Sequence, residues 1–262
     1  MKPRVSVALI TRNEQQNIAD CLRSVAWADE IVVVDQGSSD GTAALARSLG
    51  ARVIDAPDWP GFGPQKNRAL DACSGDWILA LDADERITPE SQREITAVLA
   101  APTHDVYEMP RSSYYCGRFI RHSGWSPDYV RRLFRRGTAR YSEARVHEAL
   151  LTDRPVGRLR EPLVHYSFRT LEDVLVKMNR YSTDNAHMLV ERGRRPGIGS
   201  ALLHGLASFL RTYVLKRGFL DGRHGLMLAI SNAEGSYYKQ VKAMLLNEQP
   251  PAPPAPPLPP AG

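Results

Sequence analysis

The sequence predicts an α/β fold: an open, mostly parallel sheet with helices on both faces. Three observations lead there. The apolar run Ile31-Val32-Val33-Val34 lacks the polar alternation of a half-solvated strand, as expected of parallel strands covered on both sides. Such runs alternate with helix-period segments through the first hundred residues, the βαβ pattern of a parallel sheet. Polar loops follow the strands at their carboxyl ends, where sheets of this kind bind ligands.

Taken in order, Val5–Ile10 is the first strand, and Asn17–Val25 is a helix with Ile18, Cys21, Leu22 and Val25 on one face. Ile31–Val34 is the second strand, followed by helix Thr42–Leu49, strand Arg52–Ile54, helix Gln65–Ala72 and strand Trp77–Leu81. Thr170–Arg192 is a helix ending at the breaker Gly193-Arg194-Arg195-Pro196-Gly197. Ile198–Leu215 is apolar apart from a thin polar line, and too short and interrupted for a spanning helix. Two readings of it stand: an in-plane amphipathic helix against anionic head groups, or a helix packed on its own domain or on a second copy in a homo-oligomer. The division expected is a catalytic domain over 1–170, a helical region over 171–249, and a proline-rich tail over 250–262.

Composition narrows the class. With 262 residues and 43% hydrophobic residues the chain can bury a substantial core. Its three cysteines form no C-x-x-C pair, which argues against a disulfide framework or structural zinc and fits a reducing cytosol. The basic start Met1-Lys2-Pro3-Arg4 leads into a strand broken by Thr11-Arg12-Asn13-Glu14, not into an export signal. Net charge is +5, and 111–145 holds nine arginines against Asp128 and Glu143. That excess implies a phosphate-rich partner. Nucleic-acid motifs are missing, so a small phosphorylated ligand or an anionic membrane surface suits it better. A non-enzymatic phosphate- or nucleic-acid-binding module using this stretch is the alternative, although it leaves the acidic cluster below unexplained.

The strand exits carry the polar residues: Thr11-Arg12-Asn13-Glu14, then Asp35 to Thr42, then Asp82-Ala83-Asp84 within "LALDADER" at 79–86. One crevice can collect all three. In an extended chain Asp82 and Asp84 point to one side, so both can face a divalent cation, or a cation and a ribose hydroxyl. Asp35 can accept hydrogen bonds from a base or ribose edge. Helix capping before Thr88-Pro89-Glu90 would need one acid, and this stretch spends three. A haloacid-dehalogenase-like phosphatase also carries D-x-D, but on its first strand and with Thr or Val where this chain has Arg86.

The stretches "VSVALITRNEQQNIADCLRSV", "EIVVVDQGSSDGT", "GPQKNRALDACSGDWILALDADE", "GWSPDYVRRLFRRG" and "RVHEAL" resemble the inverting family-2 glycosyltransferases of GT-A fold. The resemblance is strongest to bacterial lipopolysaccharide inner-core β-1,4-glucosyltransferases. It implies transfer of a hexose, glucose, from a UDP-sugar to a lipid-linked saccharide, with Mg²⁺ or Mn²⁺ as cofactor. It further implies a peripheral protein on the cytoplasmic face of the inner membrane. By the same resemblance Thr11, Asn13 and Glu14 line the nucleotide pocket, Asp35 meets the uracil, and Lys66 and Asn67 lie near the base and ribose. Asp82 would meet the ribose or metal, and Asp84 the metal. His165, in "LVHYS" at a strand exit, would add a metal or phosphate contact, or else is a satisfied core residue. Arg131 and Arg132 are the diphosphate candidates, since guanidinium forks suit phosphate oxygens. Inversion needs a base for the acceptor hydroxyl. Glu148 is assigned to it, with Asp128 in reserve, although relatives carry a Glu-Asp pair where this chain has His147-Glu148.

Overall fold

The computed structural model describes residues 2–142 and 149–248. Strand β1 (Val5–Thr11) leads through α1 (Gln15–Ser24) to β2 (Glu30–Asp35), and α2 (Thr42–Ser48) leads to β3 (Arg52–Asp55). Helix α3 (Phe62–Asp71) then carries the chain back to β4 (Trp77–Asp82) on the other side of β1. β3, β2, β1 and β4 are all parallel. The strand order therefore reverses at β1, and the carboxyl ends of β1 and β4 are where sheets of this kind bind ligands.

After β4 come β5 (Glu85–Ile87), α4 (Pro89–Ala100), β6 (Val106–Tyr115), β7 (Arg118–Phe119) and β8 (Tyr129–Arg135). The ribbon β9 (Arg140–Tyr141) and β10 (Leu150–Leu151) follows, then β11 (Val156–Arg158) and β12 (Leu163–Phe168). β8 pairs antiparallel with both β4 and β6, and β12 pairs antiparallel with β5, giving the order β3-β2-β1-β4-β8-β6-β12-β5.

Alternation along the parallel strands divides the core between two faces. Val5, Val7 and Leu9 of β1 with Leu79 and Leu81 of β4 meet Ile18, Cys21 and Leu22 of α1 and Ile95 of α4. The intervening Ala8, Val32, Val34, Ile78 and Ala80 meet Ala69 and Leu70 of α3 on the opposite face. Every such residue is at least nine-tenths buried, so the hydrophobic term acts on both faces and fixes strand register. Helix α4 begins where capping chemistry puts it: the Thr88 hydroxyl accepts from the Ser91 N–H, with Pro89 in the first turn.

The chain divides into two compact units. One comprises the residues through Arg121 with Trp125–Ser167, and the other His122–Gly124 with the residues from Phe168 on. The second unit is helical: α5 (Leu171–Glu191), α6 (Ile198–Leu210), a π-turn over Arg211–Leu215, a 3-10 turn over Gly218–Asp221, and α7 (Gly222–Glu248). Thr170 and Asp173 close a reciprocal capping box on α5. Gly225 is fixed by close approach, because a Cβ there would lie 1.8 Å from the Gly218 carbonyl oxygen. The helix expected over 198–215 is α-helical only to Leu210, beyond which the chain widens into the π-turn.

Burial predicts thiol behaviour. Cys73 is pushed up to about 12 and Cys21 higher still, both first by burial. Cys116 is half-buried. A thiol reagent at pH 8 should label Cys116 alone in the native chain and all three thiols in denaturant; rapid native labelling of Cys21 or Cys73 would contradict this packing.

Candidate functional site

The first two strand exits are sewn to each other. Asn13, at φ 54° in the left-handed region that asparagine tolerates, accepts the Ser39 N–H at 2.8 Å while its own N–H donates to Ser38 Oγ at 2.9 Å. The Glu14 N–H donates to Thr42 Oγ1 at 2.9 Å, and the Gln15 N–H to Asp40. The Glu14 carboxylate accepts from Asn17 Nδ2 at 2.7 Å. Asp35, 2% exposed, accepts from both the N–H and the hydroxyl of Ser38, ordering the Gly-Ser loop. Thr11 is buried beside it in register, and its Oγ1 has no hydrogen-bond partner among the described residues.

The third exit departs from the extended geometry expected. β4 ends at Asp82, and Ala83-Asp84 form a turn into β5. Arg86, itself buried, staples that turn by donating to the carbonyls of Ala83, Glu85 and Asn17 at 2.8 Å each. The two aspartates consequently face different partners. Asp82 Oδ1 meets Lys66 Nζ at 2.9 Å and its Oδ2 meets Arg132 at 2.6 Å. Asp84 Oδ2 lies 3.3 Å from His165 Nε2. His165 stands in the middle of β12, not at a strand exit, with its Nδ1 2.8 Å from Ser167 Oγ.

Behind Asp82 lies Glu85, fully buried, 2.6 Å from the same Arg132 nitrogen and accepting the Asp82 N–H at 3.0 Å. Burial opposes ionisation of Asp82, but Arg132 and Lys66 outweigh it and hold its carboxyl far below the usual carboxylate range. Burial pushes Glu85 up, and the Asp82 charge adds to that against the pull of Arg132. Arg132 and Lys66, with Arg111 Nη1 3.9 Å from Glu85 Oε1, therefore offset the two acids, the condition under which buried charge is tolerated.

Several expected roles shift. Arg132 is 5% exposed and spent on Asp82 and Glu85, so it positions the aspartate and does not present a fork to a diphosphate. Arg131 donates to the Leu150 carbonyl at 2.9 Å. Asn67 is buried and exchanges two hydrogen bonds with the Tyr141 backbone, which fixes the β9 ribbon on α3 and turns its amide away from a ligand. Lys66 keeps its place beside Asp82. Asp128 Oδ2 accepts twice from Arg111, at 2.9 and 2.6 Å. Glu148 lies outside the described residues.

Among the described residues, most arginines of the basic stretch already have protein partners. Arg111, Arg132, Arg135 and Arg140 are paired with Asp128, Asp82, Asp105 and Asp71, and Arg136 donates to the Gly75 carbonyl. Glu85 is the site residue that the sequence reading does not single out, its signal being an acid beyond what a D-x-D requires, whereas Arg132, expected at the diphosphate, is instead the partner of Asp82 and Glu85.

A doubly wound sheet whose reversal point gathers a D-x-D turn, a lysine and the first two strand exits is the GT-A arrangement of nucleotide-sugar transferases. The chain belongs to glycosyltransferase family 2, whose profile, Glycosyl transferase family 2, matches residues 6–160. It is 33% identical over 254 residues to the lipopolysaccharide core biosynthesis glycosyltransferase LpsC of Rhizobium meliloti (strain 1021), covering 91% of each chain. It is 35% identical over 92 residues, 30% of this chain and 28% of the other, to glucosyl-3-phosphoglycerate synthase of Mycobacterium tuberculosis. A crystal structure of that synthase with Mn²⁺, UDP and glucosyl-3-phosphoglycerate aligns over 43% of this chain and 44% of its own, at 27% identity and TM-score 0.36. The protein is thus a glycosyltransferase.

The charge balance at β4 gives a stability prediction. Arg132→Met should cost about 3–5 kcal/mol in urea unfolding, because it leaves Asp82 and Glu85 as adjacent acids with only Lys66 close to Asp82 and Arg111, at 3.9 Å, near Glu85. Adding Glu85→Gln should recover a substantial part of that loss. Equal stability of wild type and Arg132→Met would show that the network does not hold the site.

Proposed function

We propose that the protein transfers a hexose, glucose, with inversion from a UDP-sugar to a saccharide of the lipopolysaccharide inner core. The observation that carries this reading is the convergence of Asp84 and His165 beside an Asp82 already neutralised by cations. The name of LpsC supports the acceptor, and that of glucosyl-3-phosphoglycerate synthase supports the sugar.

The residues present fit a divalent metal at Asp84 and His165, and not at Asp82, whose two oxygens are taken by Lys66 and Arg132. Among the described residues no three His, Cys, Asp or Glu side chains converge. A single protein carboxylate, with substrate phosphates and water completing the shell, is a set that Mg²⁺ commonly uses, and Mn²⁺ takes the same oxygen donors, with the His165 imidazole as an additional nitrogen donor. Bound there, the metal would stabilise charge on the departing diphosphate.

The protein's own groups do the rest. Asp82, held ionised, accepts from a ribose hydroxyl. Asp35 has lone pairs beyond those Ser38 uses and accepts from the uracil N–H, while the Thr11 hydroxyl on the neighbouring strand, which has no partner among the described residues, is a further group for the base. Asn13 and Glu14 shape the loop over it. The acceptor hydroxyl loses its proton to a carboxylate as it attacks the anomeric carbon from the face opposite the diphosphate, and UDP leaves. Glu148 is that base in this reading. Asp128 is the second choice because its Oδ2 is occupied by Arg111.

Incubation with Mn²⁺ and a panel of UDP-sugars, read as UDP release, tests the donor; release should be fastest with UDP-glucose, and none with any nucleotide sugar would overturn the assignment. Asp84→Ala should abolish Mn²⁺-dependent UDP binding in calorimetry while the fold is retained. Unchanged affinity would remove Asp84 from the site. Glu148→Gln should keep donor binding and lower transfer by about 10²-fold or more. Near-normal turnover would move the role to Asp128.

A further inference from the structure

Helix α6 is packed the opposite way from an ordinary helix of a soluble domain. Its inner face is made of small and polar residues at successive turns through the π-turn, Ala201, Gly205 and Thr212 buried and Ser208 half-buried. That face lies on α7: the Ser208 hydroxyl donates to the Asn232 carbonyl at 3.1 Å, and a Cβ on Gly205 would touch Tyr237 at 3.4 Å. The leucines point the other way. Leu202, Leu203, Leu206 and Leu215 are 61%, 65%, 57% and 75% exposed, and Leu210 and Val214 continue the stripe. Phe219 and Leu220 extend it beyond the turn, each about half exposed. Single exposed leucines need no account, but a contiguous stripe of this kind marks an interaction surface.

Charge says what the surface meets. Arg192, Arg194 and Arg195 are exposed at one end of the stripe, and Arg211, Lys216 and Arg217 at the other. Across 192–223 the single acid is Asp221, which is buried and accepts from the His122 and Ser123 side of the same unit. The whole exposed face is therefore apolar in the middle and cationic at both ends. A second copy would set cations against cations, whereas anionic phospholipid offers hydrocarbon to the leucines and phosphate to the arginines. With the π-turn the helix runs 18 residues, a length that approaches a hydrocarbon core, but its small and polar face is committed to α7 and Arg211 interrupts the apolar run, so the helix lies in the interface plane and does not cross it.

We infer that the α6 face is a docking surface for an anionic phospholipid bilayer, with the leucine stripe inserted at head-group depth and the flanking cations on lipid phosphates. This stands independently of the sugar-transfer reading and is tested without nucleotide. The full chain is floated with vesicles of phosphatidylcholine alone and of phosphatidylcholine mixed with phosphatidylglycerol. Partitioning onto the mixed vesicles should be roughly tenfold or more stronger and should fall with added salt. Leu202→Ser/Leu203→Ser/Leu206→Ser should abolish binding while leaving the thermal unfolding midpoint unchanged, because these side chains lie outside the packed face. Arg194→Glu/Arg195→Glu/Lys216→Glu should erase the preference for anionic lipid. Lack of binding to mixed vesicles at low salt overturns the inference, as does a leucine variant that fails to fold. So does a wild-type dimer in light scattering that the leucine variant converts to monomer while vesicles are ignored, since the face would then belong to a second copy.

Discussion

The balance of Lys66 and Arg132 against the half-buried Asp82 and the buried Glu85 is the constraint on which the site depends. It joins α3, β4, β5 and β8 at the place where the strand order reverses. Isolated charges in such a position would be too costly, and leaving out any one of the four would strand another. With the set complete, Asp82 stays ionised and fixed. The tight turn stapled by Arg86 then carries Asp84 past Asp82 toward His165 on β12. The antiparallel strands added to the parallel core have a functional consequence here, because β8 brings Arg132 beside β4 and β12 brings His165 beside β5.

Elements stabilised by their own periodicity were legible in the sequence. The β1 to β4 strands, with the helices between them, lie within a few residues of the ranges that apolar patterning gives, because burial on both faces forces that pattern. The three polar exits at the carboxyl ends of β1, β2 and β4 were legible for the same reason. What was hidden depends on partners far along the chain. Asn67 looked like a ligand contact until Tyr141, 74 positions later, took both its amide groups. Arg132 looked like a phosphate fork until β8 placed it 50 positions back against Asp82. The i and i+2 rule put both aspartates on one side, and it fails because the chain leaves the extended conformation at Ala83. The arginine-rich stretch misled in the same way, since the acids that neutralise it, such as Asp71 and Asp105, lie outside it in sequence.

The helical unit teaches a related lesson. An apolar stretch from Ile198 to Leu215 tells that a helix wants a low-dielectric neighbour, but not which face finds it inside the protein. Gly205 and Ala201 decide that, because only small residues let α6 approach α7 closely, and the leucines are then left on the outside.

The central claim is that Asp82 is a neutralised carboxylate and Asp84 with His165 the metal-facing pair. Anomalous diffraction from crystals grown with Mn²⁺ and UDP tests it most directly. The account predicts an anomalous peak coordinated by the Asp84 carboxylate, His165 Nε2 and the diphosphate, with Lys66 and Arg132 still on Asp82. A peak coordinated by Asp82 with its two cations displaced, or nucleotide bound with no metal near Asp84, would contradict it.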